Sequence, residues 1–327
     1  MISVLKSFLS ILMAFLNIFA SPIFGDFNAP AKPIDSGACK LNFATISDIH
    51  MTDSVLRSLM LEIGLYDMEN SDYPLDALVA TGDLTDHGYE EEWAMLAETF
   101  AKRSPAKNII LAQGNHDTWT EDDGYGLAKD LFIKYNKEIT GREIENEYYT
   151  AKINGYTFIV LGSEDDRTSM FVSDAQLAWL ETEMEKASKD GLPIFVVCHW
   201  PLNQSHGLPE TWGDDEPEPD DGGIGDQSAQ VEAILKKYDN VFMLSGHIHN
   251  GFVNERQAET YGYMSVESDG SFHSINLSPY MYMTMRGRVA NGTGFNFEVY
   301  EDRVEIRARS YSAGVWYTDY CETIPLV

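Results

Sequence analysis

The sequence LNFATISDIH, residues 41–50, joins a short apolar segment to two residues that can ligate a metal ion. Its first part, Leu41–Ser47, predicts a buried β-strand, because short apolar runs of this length are typical of strands in a sheet core. Asp48 and His50 follow this strand directly. In open α/β sheets, ligands bind just beyond the carboxyl ends of the strands. The stretch therefore predicts a functional site at one edge of a sheet.

Four more apolar segments along the chain end in the same way, in Asp, Asn or His. They lead into Gly82-Asp83, Gly114-Asn115-His116-Asp117, His199, and Gly246-His247-Ile248-His249. We expect all five strand ends to converge on one site. The glycines that precede Asp83, Asn115 and His247 permit tight turns and a close approach of the backbone. On an extended segment, the Asp-x-His and His-x-His spacings would place both side chains on the same side of the chain.

Segments with helical periodicity lie between the strand candidates. They cover residues 55–63, 89–102, 126–138, 173–184 and 228–238. Asn154-Gly155, between two apolar runs, predicts a β-hairpin. Ser173 followed by Gln176 has the spacing of a capping box and predicts the start of a helix. The alternation of strands and helices favours an α/β fold.

Beyond residue 250 the sequence indicates mostly β-structure. Two segments of alternating apolar and polar residues flank Glu301-Asp302-Arg303 and predict a further hairpin. The Tyr- and Met-rich stretch from Tyr280 to Met285 is typical of strand core. We therefore expect residues 251–327 to form a β-rich part that completes the second sheet or caps the site.

The composition of the 327 residues limits the classes of function. Lys and Arg total 23 and Asp and Glu total 52, which gives a net charge of −29. Such a chain repels phosphate backbones, so we expect no binding of a nucleic-acid polymer. Three cysteines are too few for a disulfide scaffold. Cys39 and Cys321 could be linked in an oxidising compartment, but the sequence leaves their connectivity open.

The first residues differ in character from the rest. Residues 1–25 combine one Lys with the apolar run Phe8–Ala20 and predict a signal peptide, and hence secretion. A retained membrane anchor is the alternative, although the run is shorter than the roughly 20 apolar residues of a membrane span. Residues 26–40 contain Pro and Gly and predict a linker. Residues 41–327 then form the mature domain, with all motifs inside 41–250.

Seven of the motif residues form a ligand set without cysteine. They are Asp48, His50, Asp83, Asn115, His199, His247 and His249. The absence of thiolates excludes a thiolate-rich structural zinc site, whereas imidazole with carboxylate suits Zn, Fe, Mn or Ni. Seven ligands are too many for one tetrahedral ion and suit two ions that share one carboxylate. Such a pair can clamp a phosphoryl group and activate water.

In this order the motifs resemble those of the calcineurin-like metallophosphoesterases. The resemblance implies a four-layer α/β/β/α sandwich with two mixed β-sheets. It implies a first metal held by Asp48, His50 and His249, a second held by Asn115, His199 and His247, and Asp83 as the bridge between them. It further implies that His116 is an outer-sphere acid at the substrate, with Asp117 as the residue that orients it.

One position distinguishes this chain from the purple acid phosphatases, a branch of that family. Those enzymes carry a Tyr three residues after the shared Asp, where this chain has Asp86. The remaining pattern resembles the branch of cyclic-nucleotide phosphodiesterases and general phosphohydrolases.

Together with the predicted signal peptide, the resemblance implies a secreted phosphoesterase with two metal ions of unknown identity, which hydrolyses a small phosphate ester by in-line attack of metal-bound hydroxide. Phosphodiesters and nucleotides are the expected substrates. The alternatives are a phosphomonoesterase of broad specificity and a non-catalytic extracellular metal-binding protein on the same fold. We expect no stable membrane span after processing. The acidic segment 209–226 is either a solvated loop or a flap over the site.

Overall fold

The computed structural model describes most of the chain beyond the predicted linker. The described residues are 38–119, 124–165, 168–212, 218–281, 284–287 and 291–327. The predicted signal peptide, residues 1–25, lies outside them, as do residues 26–37 of the predicted linker. Among the described residues, no helix is long and apolar enough to cross a membrane.

Six strands form the first sheet, in the order β12-β11-β10-β1-β2-β3. Their bounds are β1 Leu41–Ile46, β2 Ala77–Ala80, β3 Ile109–Leu111, β10 Thr293–Val299, β11 Arg303–Ser310 and β12 Val315–Pro325. β1, β2 and β3 run parallel, whereas β10, β11 and β12 are added antiparallel to β1 and to one another. The sheet is therefore mixed, and the predicted hairpin at residues 301–303 connects β10 with β11.

Six further strands form the second sheet, in the order β4-β5-β6-β7-β9-β8. Their bounds are β4 Tyr149–Ile153, β5 Tyr156–Val160, β6 Ile194–Val197, β7 Val241–Ser245, β8 Val266–Asp269 and β9 Phe272–Asn276. The four central strands run parallel, and the edge strands β4 and β8 pair antiparallel with their neighbours. The strands beyond residue 250 thus extend both sheets.

Helices cover the outer faces of the two sheets. Within the described residues they are α1 Val55–Glu69, α2 Glu90–Ala101, α3 Gly124–Thr140, α4 Asp174–Ser188 and α5 Ser228–Leu235. A further helix, α6 Glu255–Tyr261, buries none of its residues. Side chains of α1, α2 and α3 share a core with the first sheet, and side chains of α4 and α5 share one with the second. A third core lies between the sheets. The predicted four-layer α/β/β/α architecture is confirmed.

Aromatic side chains hold the two sheets face to face. The ring of Phe43 on β1 stacks on Phe297 of β10 at 4.7 Å and meets Phe158 of β5 edge-on at 5.3 Å. Every residue of β1 is buried, because one of its faces meets the second sheet and the other meets the helices. A strand buried on both faces has a mostly apolar sequence, which is why Leu41–Ile46 was recognisable.

Two local predictions agree with the backbone. Asn154 and Gly155 have φ angles of 51° and 92°, as a two-residue hairpin turn requires. The hydroxyl of Ser173 accepts a hydrogen bond from the backbone of Gln176 at 3.2 Å and caps α4. The Gln176 side chain donates to the carbonyl of Gly162 at 2.9 Å, so the helix start is also tied to the end of β5.

The interpretation of Tyr280 to Met285 as strand core is wrong for its described residues. Here the chain is irregular and runs beside the first motif, where the backbone amide of Tyr280 donates to the carbonyl of Ser47 at 2.8 Å. Tyr280 is fully buried, and its hydroxyl donates to the carbonyl of Met60 on α1. The aromatic side chain fills the core beneath α1 without belonging to a strand.

The three cysteines are free thiols in the structure. Cys39 donates to the carbonyl of Leu41 at 3.3 Å, whereas Cys321 lies on β12. Strands β10 and β11 lie between them in the sheet. Cys198, at the end of β6, is buried, and this raises the pKa of its thiol to about 12.

Candidate metal centre

The carboxyl ends of β1, β2 and β3 meet those of β6 and β7 at one edge of the sandwich. Within the first sheet, the amide of Asp48 donates to the carbonyl of Gly82 at 3.1 Å. Between the sheets, the amide of His247 donates to Asp48 Oδ1 at 3.2 Å, and His199 Nδ1 donates to the carbonyl of Thr81 at 2.9 Å. These hydrogen bonds bring motifs that are distant in sequence into one site.

A first group of ligand atoms joins Asp48, His50, Asp83 and His249. His249 Nε2 lies 3.1 Å from Asp48 Oδ1 and 3.2 Å from His50 Nε2. His50 Nε2 lies 3.6 Å from Asp83 Oδ2. Atoms of this kind at such spacing can converge on one cation.

A second group joins Asp83, His199 and His247, so Asp83 belongs to both groups. His199 Nε2 lies 3.3 Å from Asp83 Oδ2, and the rings of His199 and His247 are 5.0 Å apart. Asn115 is placed beside this group because the next residue, His116, donates its amide to Asp83 Oδ1 at 2.9 Å. The structure therefore brings together all the residues predicted as ligands, with Asp83 in the position predicted for the bridge.

Buried polar atoms without partners test whether these residues fit metal ions. Four side-chain atoms of the predicted ligands are buried and have no hydrogen-bond partner: Asp48 Oδ2, Asn115 Oδ1, His199 Nε2 and His247 Nε2. A buried polar atom without a partner costs about 1–3 kcal/mol. Native proteins rarely leave several such atoms in one place. The donor set, oxygen and imidazole nitrogen in two groups around one carboxylate, fits a pair of divalent cations.

The charges at the site compensate one another. Burial alone would raise the pKa of Asp48, but the charge and hydrogen bond of His249 lower it to about 2. Burial would also raise the pKa of Asp83, but the charge and hydrogen bond of His199 hold that pKa well below its usual range. In return, Asp83 and Asp48 raise the pKa of His199 to about 9 against the effect of its burial. Cations bound between these residues would supply the positive charge that the two buried carboxylates require.

The backbone is strained at most of these ligand positions. Asp48, His50, Asp83, His247 and His249 have φ angles of 53°, 46°, 46°, 73° and 48°. Residues with side chains seldom adopt this left-handed region, and each such position costs of the order of 1 kcal/mol. The motif segments are therefore not extended. The expectation that the Asp-x-His and His-x-His spacings lie on extended segments is wrong. The tight turns, rather than an extended chain, bring the paired side chains together.

At two of the motif glycines, close contacts leave no room for a side chain. A Cβ atom on Gly114 would lie 2.2 Å from the amide nitrogen of Asp83, and one on Gly246 would lie 1.9 Å from Ser47 Oγ. Both distances are far below van der Waals contact. These glycines let the loop of one motif pack directly against the loop of another.

A sequence model of the family described as calcineurin-like phosphoesterase matches residues 41–251. This range contains every ligand candidate and covers more than half of the chain. The chain belongs to the calcineurin-like phosphoesterase family. The match begins at the first residue of β1 and ends just after the last motif, so strands β8 to β12 lie entirely outside it.

Known proteins share parts of this family architecture. A protein of Rhodococcus erythropolis, named probable cyclic nucleotide phosphodiesterase, is 28% identical over 214 residues, which are 62% of this chain and 63% of that protein. A dimetal phosphatase from Danio rerio covers 88% of this chain and 100% of its own, with 14% identity and a TM-score of 0.59. A purple acid phosphatase from yellow lupin covers 87% of this chain and 53% of its own, with 12% identity and a TM-score of 0.58. The two structures show a common fold.

His116 lies beside the ligand groups, and its ring meets that of His50 edge-on at 4.5 Å. Its Nδ1 donates to the backbone carbonyl of Asp86 at 2.7 Å. Since a carbonyl can only accept, Nδ1 carries a hydrogen atom and Nε2 is the remaining ring nitrogen. The carboxylate of Asp86 accepts from His50 Nδ1 at 3.1 Å. Asp86 thus supports two histidines at once, a role that the sequence analysis missed.

The prediction that Asp117 orients His116 is wrong. The Asp117 carboxylate accepts hydrogen bonds from the amides of Leu84, Thr85 and Gly114 and from the Thr85 hydroxyl, at 2.7–3.1 Å. Its burial and the nearby charge of Asp83 raise the pKa of Asp117 to about 6, although the donors oppose this. Asp117 therefore ties the second motif to the third, and the backbone of Asp86 holds the ring of His116.

The acidic segment contacts the site through one aromatic residue. The ring of Trp212 stacks on that of His247, with ring centroids 4.6 Å apart. His206, in the loop that leads into the segment, is fully buried and bonds to the carbonyl of Met264 and the hydroxyl of Ser274. His206 therefore anchors the loop to the second sheet, and it is Trp212 that reaches the metal ligands.

Proposed function

We propose that this protein is a dinuclear metal-dependent phosphoesterase that hydrolyses a small phosphodiester. The observation that carries the proposal is the set of buried oxygen and nitrogen atoms without partners that surrounds Asp83. Membership of the calcineurin-like phosphoesterase family supports the same chemistry. Structural polar residues of a core would instead be expected to find hydrogen-bond partners.

In this proposal each ligand group holds one divalent cation. The first cation would be held by Asp48, His50 and His249, and the second by Asn115, His199 and His247. Asp83 would contribute to both groups. When bound, such a pair supplies Lewis acidity, which activates water and neutralises charge on the phosphoryl group. The strained turns at these residues keep the ligands in place before the cations bind.

The role of His116 follows from its hydrogen bond to Asp86. With Nδ1 held by the carbonyl, Nε2 is the ring atom left to meet a substrate. An imidazolium at this position can donate a hydrogen bond to a phosphoryl oxygen and pass its proton to the departing oxygen of the ester. A fixed ring orientation favours this transfer because the donor need not reorganise.

The choice of a phosphodiester is supported by the name of the Rhodococcus relative, which makes cyclic nucleotides the first substrates to test. The net charge of −29 disfavours long polyanions as substrates. A phosphomonoesterase of broad specificity is the second candidate. The presence of Asp86 in place of Tyr excludes the ferric tyrosinate site of the purple acid phosphatases, but it does not exclude phosphomonoesters as substrates. We also propose that the protein is secreted, on the basis of residues 1–25.

The proposal is tested with bis(p-nitrophenyl) phosphate and cyclic AMP as substrates, in the presence of Mn²⁺ and after chelation. We expect hydrolysis that requires metal and that falls at least about a thousandfold in Asp83→Asn. The matched control is Asp302→Asn, in the exposed turn between β10 and β11 at the opposite end of β1, which should keep wild-type activity.

Two outcomes would contradict the proposal. Near-normal turnover of Asp83→Asn with both ions bound would show that the shared carboxylate has no part in catalysis. Metal binding by the wild type without hydrolysis of any mono-, di- or cyclic phosphate ester would favour the non-catalytic alternative.

A further inference from the structure

Three histidines form a compact cluster where the site opens to solvent. The ring of His50 lies 4.5 Å from that of His116 and 5.2 Å from that of His249. The side chains of His116 and His249 are 17% and 13% exposed, whereas His50 is fully buried. A phosphate ester that enters from solvent therefore passes His116 and His249 first.

Large apolar side chains are exposed around this cluster. They are Leu56, Trp119 and Met285, with exposed fractions of 66%, 39% and 54%. We call these three residues the apolar rim. Single exposed apolar residues are common, but several next to one functional site can form a surface that binds a ligand.

A backbone contact of Met285 and a side-chain contact of Arg57, the neighbour of Leu56, place two members of the rim near the histidine segments. The amide of Met285 donates to the carbonyl of His249 at 2.8 Å. Leu56 precedes Arg57 in the first turn of α1, and the guanidinium of Arg57 donates to the carbonyl of His50. The rim is therefore attached to the same segments that carry the first ligand group.

Trp119 is attached to the proposed proton donor itself. Its ring centroid lies 4.0 Å from that of His116, at an interplanar angle of 38°. The hydrogen bond from His116 to Asp86 fixes the partner ring, so the position of the indole beside it is also defined. A substituent on the oxygen that accepts a proton from His116 must lie within reach of Trp119.

We infer that the site favours phosphodiesters whose leaving alcohol carries an aromatic ring, and that Trp119 is the specificity-determining residue that stacks on this ring. This rests on the proposed function, because it takes His116 as the donor to the leaving group. Stacking buries indole surface that is now exposed, and the remaining rim residues extend the apolar contact. Small polar leaving groups would gain nothing from these side chains.

The experiment compares two diesters that differ only in the leaving group. Both are methyl phosphates; one releases phenol and the other a fluorinated alkyl alcohol of matched acidity. For the Mn²⁺-loaded wild type we expect kcat/KM to be about tenfold higher with the phenyl ester, a factor typical of one aromatic stacking contact. Trp119→Ala should lose about tenfold with the phenyl ester and change less than about twofold with the alkyl ester.

Two further variants serve as controls. Trp119→Phe keeps an aromatic ring and should keep most of the preference for the phenyl ester. Trp316→Ala removes a Trp on β12, where the ring packs against Arg307 at 4.5 Å, and should leave both rates unchanged. Metal content and circular dichroism of all variants should equal those of the wild type.

Each other result has a defined meaning. An equal loss with both esters in Trp119→Ala would overturn the inference, because Trp119 would then act only by positioning His116. No loss with either ester would overturn it as well. Failure of the metal-loaded wild type to hydrolyse either ester would overturn the proposed function, and the inference with it, before any variant is compared.

Discussion

His116 lies outside the two groups that share Asp83 and yet contacts them. If it transfers a proton to the leaving group, His116→Ala should lower kcat by about 10²–10⁴-fold. Both ions should remain bound, because the proposed ligands are untouched. Elemental analysis and steady-state kinetics of the same preparation test this. His273→Gln on β9 is the matched control, and loss of an ion from His116→Ala would make His116 a ligand.

Asp117 contributes to stability rather than to proton transfer. Its carboxylate accepts four hydrogen bonds from residues of two different motifs. Asn has only one acceptor oxygen, so Asp117→Asn should lower the free energy of unfolding by about 2–4 kcal/mol. Urea unfolding of the metal-free protein measures this change. Thr85→Val removes one of the four donors to Asp117 and also the acceptor of the Gly88 amide. It should still cost less than Asp117→Asn, and an equal cost for both variants would contradict this role.

The identity of the ligand candidates could be read from the sequence, whereas their supporting contacts could not. Ligand candidates directly follow apolar strands, as at Asp48, Asp83 and His199, and this pattern can be seen in the sequence alone. The hydrogen bond from His116 to the carbonyl of Asp86 depends on where a loop backbone lies in space. For the same reason Asp117, next to His116 in sequence, was assigned to the wrong partner.

Tight packing between loops makes Gly114 a sensitive position among the elements of the site. A Cβ there would lie 2.3 Å from Asp83 Oδ1 and 2.9 Å from His199 Cδ2. Gly114→Ala should therefore displace the shared carboxylate and abolish measurable binding of at least one ion, as titration calorimetry with Mn²⁺ would show.

The control for Gly114 is another glycine with free space around it. No atom lies within 4 Å of a Cβ placed on Gly126, which belongs to α3. Gly126→Ala should keep metal binding and stabilise the helix by about 0.5–1 kcal/mol. Normal metal binding by Gly114→Ala would show that the loops can separate without loss of the site.

Strands buried on both faces were predictable, and partly exposed elements were not. β1, β6 and β7 are fully buried and have mostly apolar sequences. β8 is half-exposed and mostly polar, and α6 has no buried residue, so neither produces a clear pattern. Tyr280 to Met285 was misassigned because aromatic composition alone does not distinguish a strand from an irregular segment in the core.

The order of the strands could not be derived from local patterns. β10 pairs with β1 although about 250 residues separate them in the chain. No pattern of apolar and polar residues in either segment predicts that these two strands pair. Only the resemblance to a known family implied the two mixed sheets. The hairpin of β10 and β11, by contrast, follows from its own alternating sequence.

Bound metal should stabilise the whole molecule, since the ligands come from both sheets. At a free metal concentration of about a hundred times Kd, one site adds about 2.7 kcal/mol to the free energy of unfolding. Chelation should therefore lower Tm by several degrees, and Mn²⁺ should restore it. Differential scanning calorimetry measures the shift. Asp83→Asn should show a smaller shift, whereas a Tm independent of chelator would contradict a metal centre between the sheets.

The central claim is that one site holds two cations with Asp83 between them. A crystal structure of the Mn²⁺-loaded protein, with anomalous scattering recorded at the manganese edge, tests this most directly. We expect two peaks about 3.5–4 Å apart. One should lie beside Asp48, His50 and His249 and the other beside Asn115, His199 and His247, and Asp83 should contact both. A single peak, or two peaks of which Asp83 contacts only one, would contradict it.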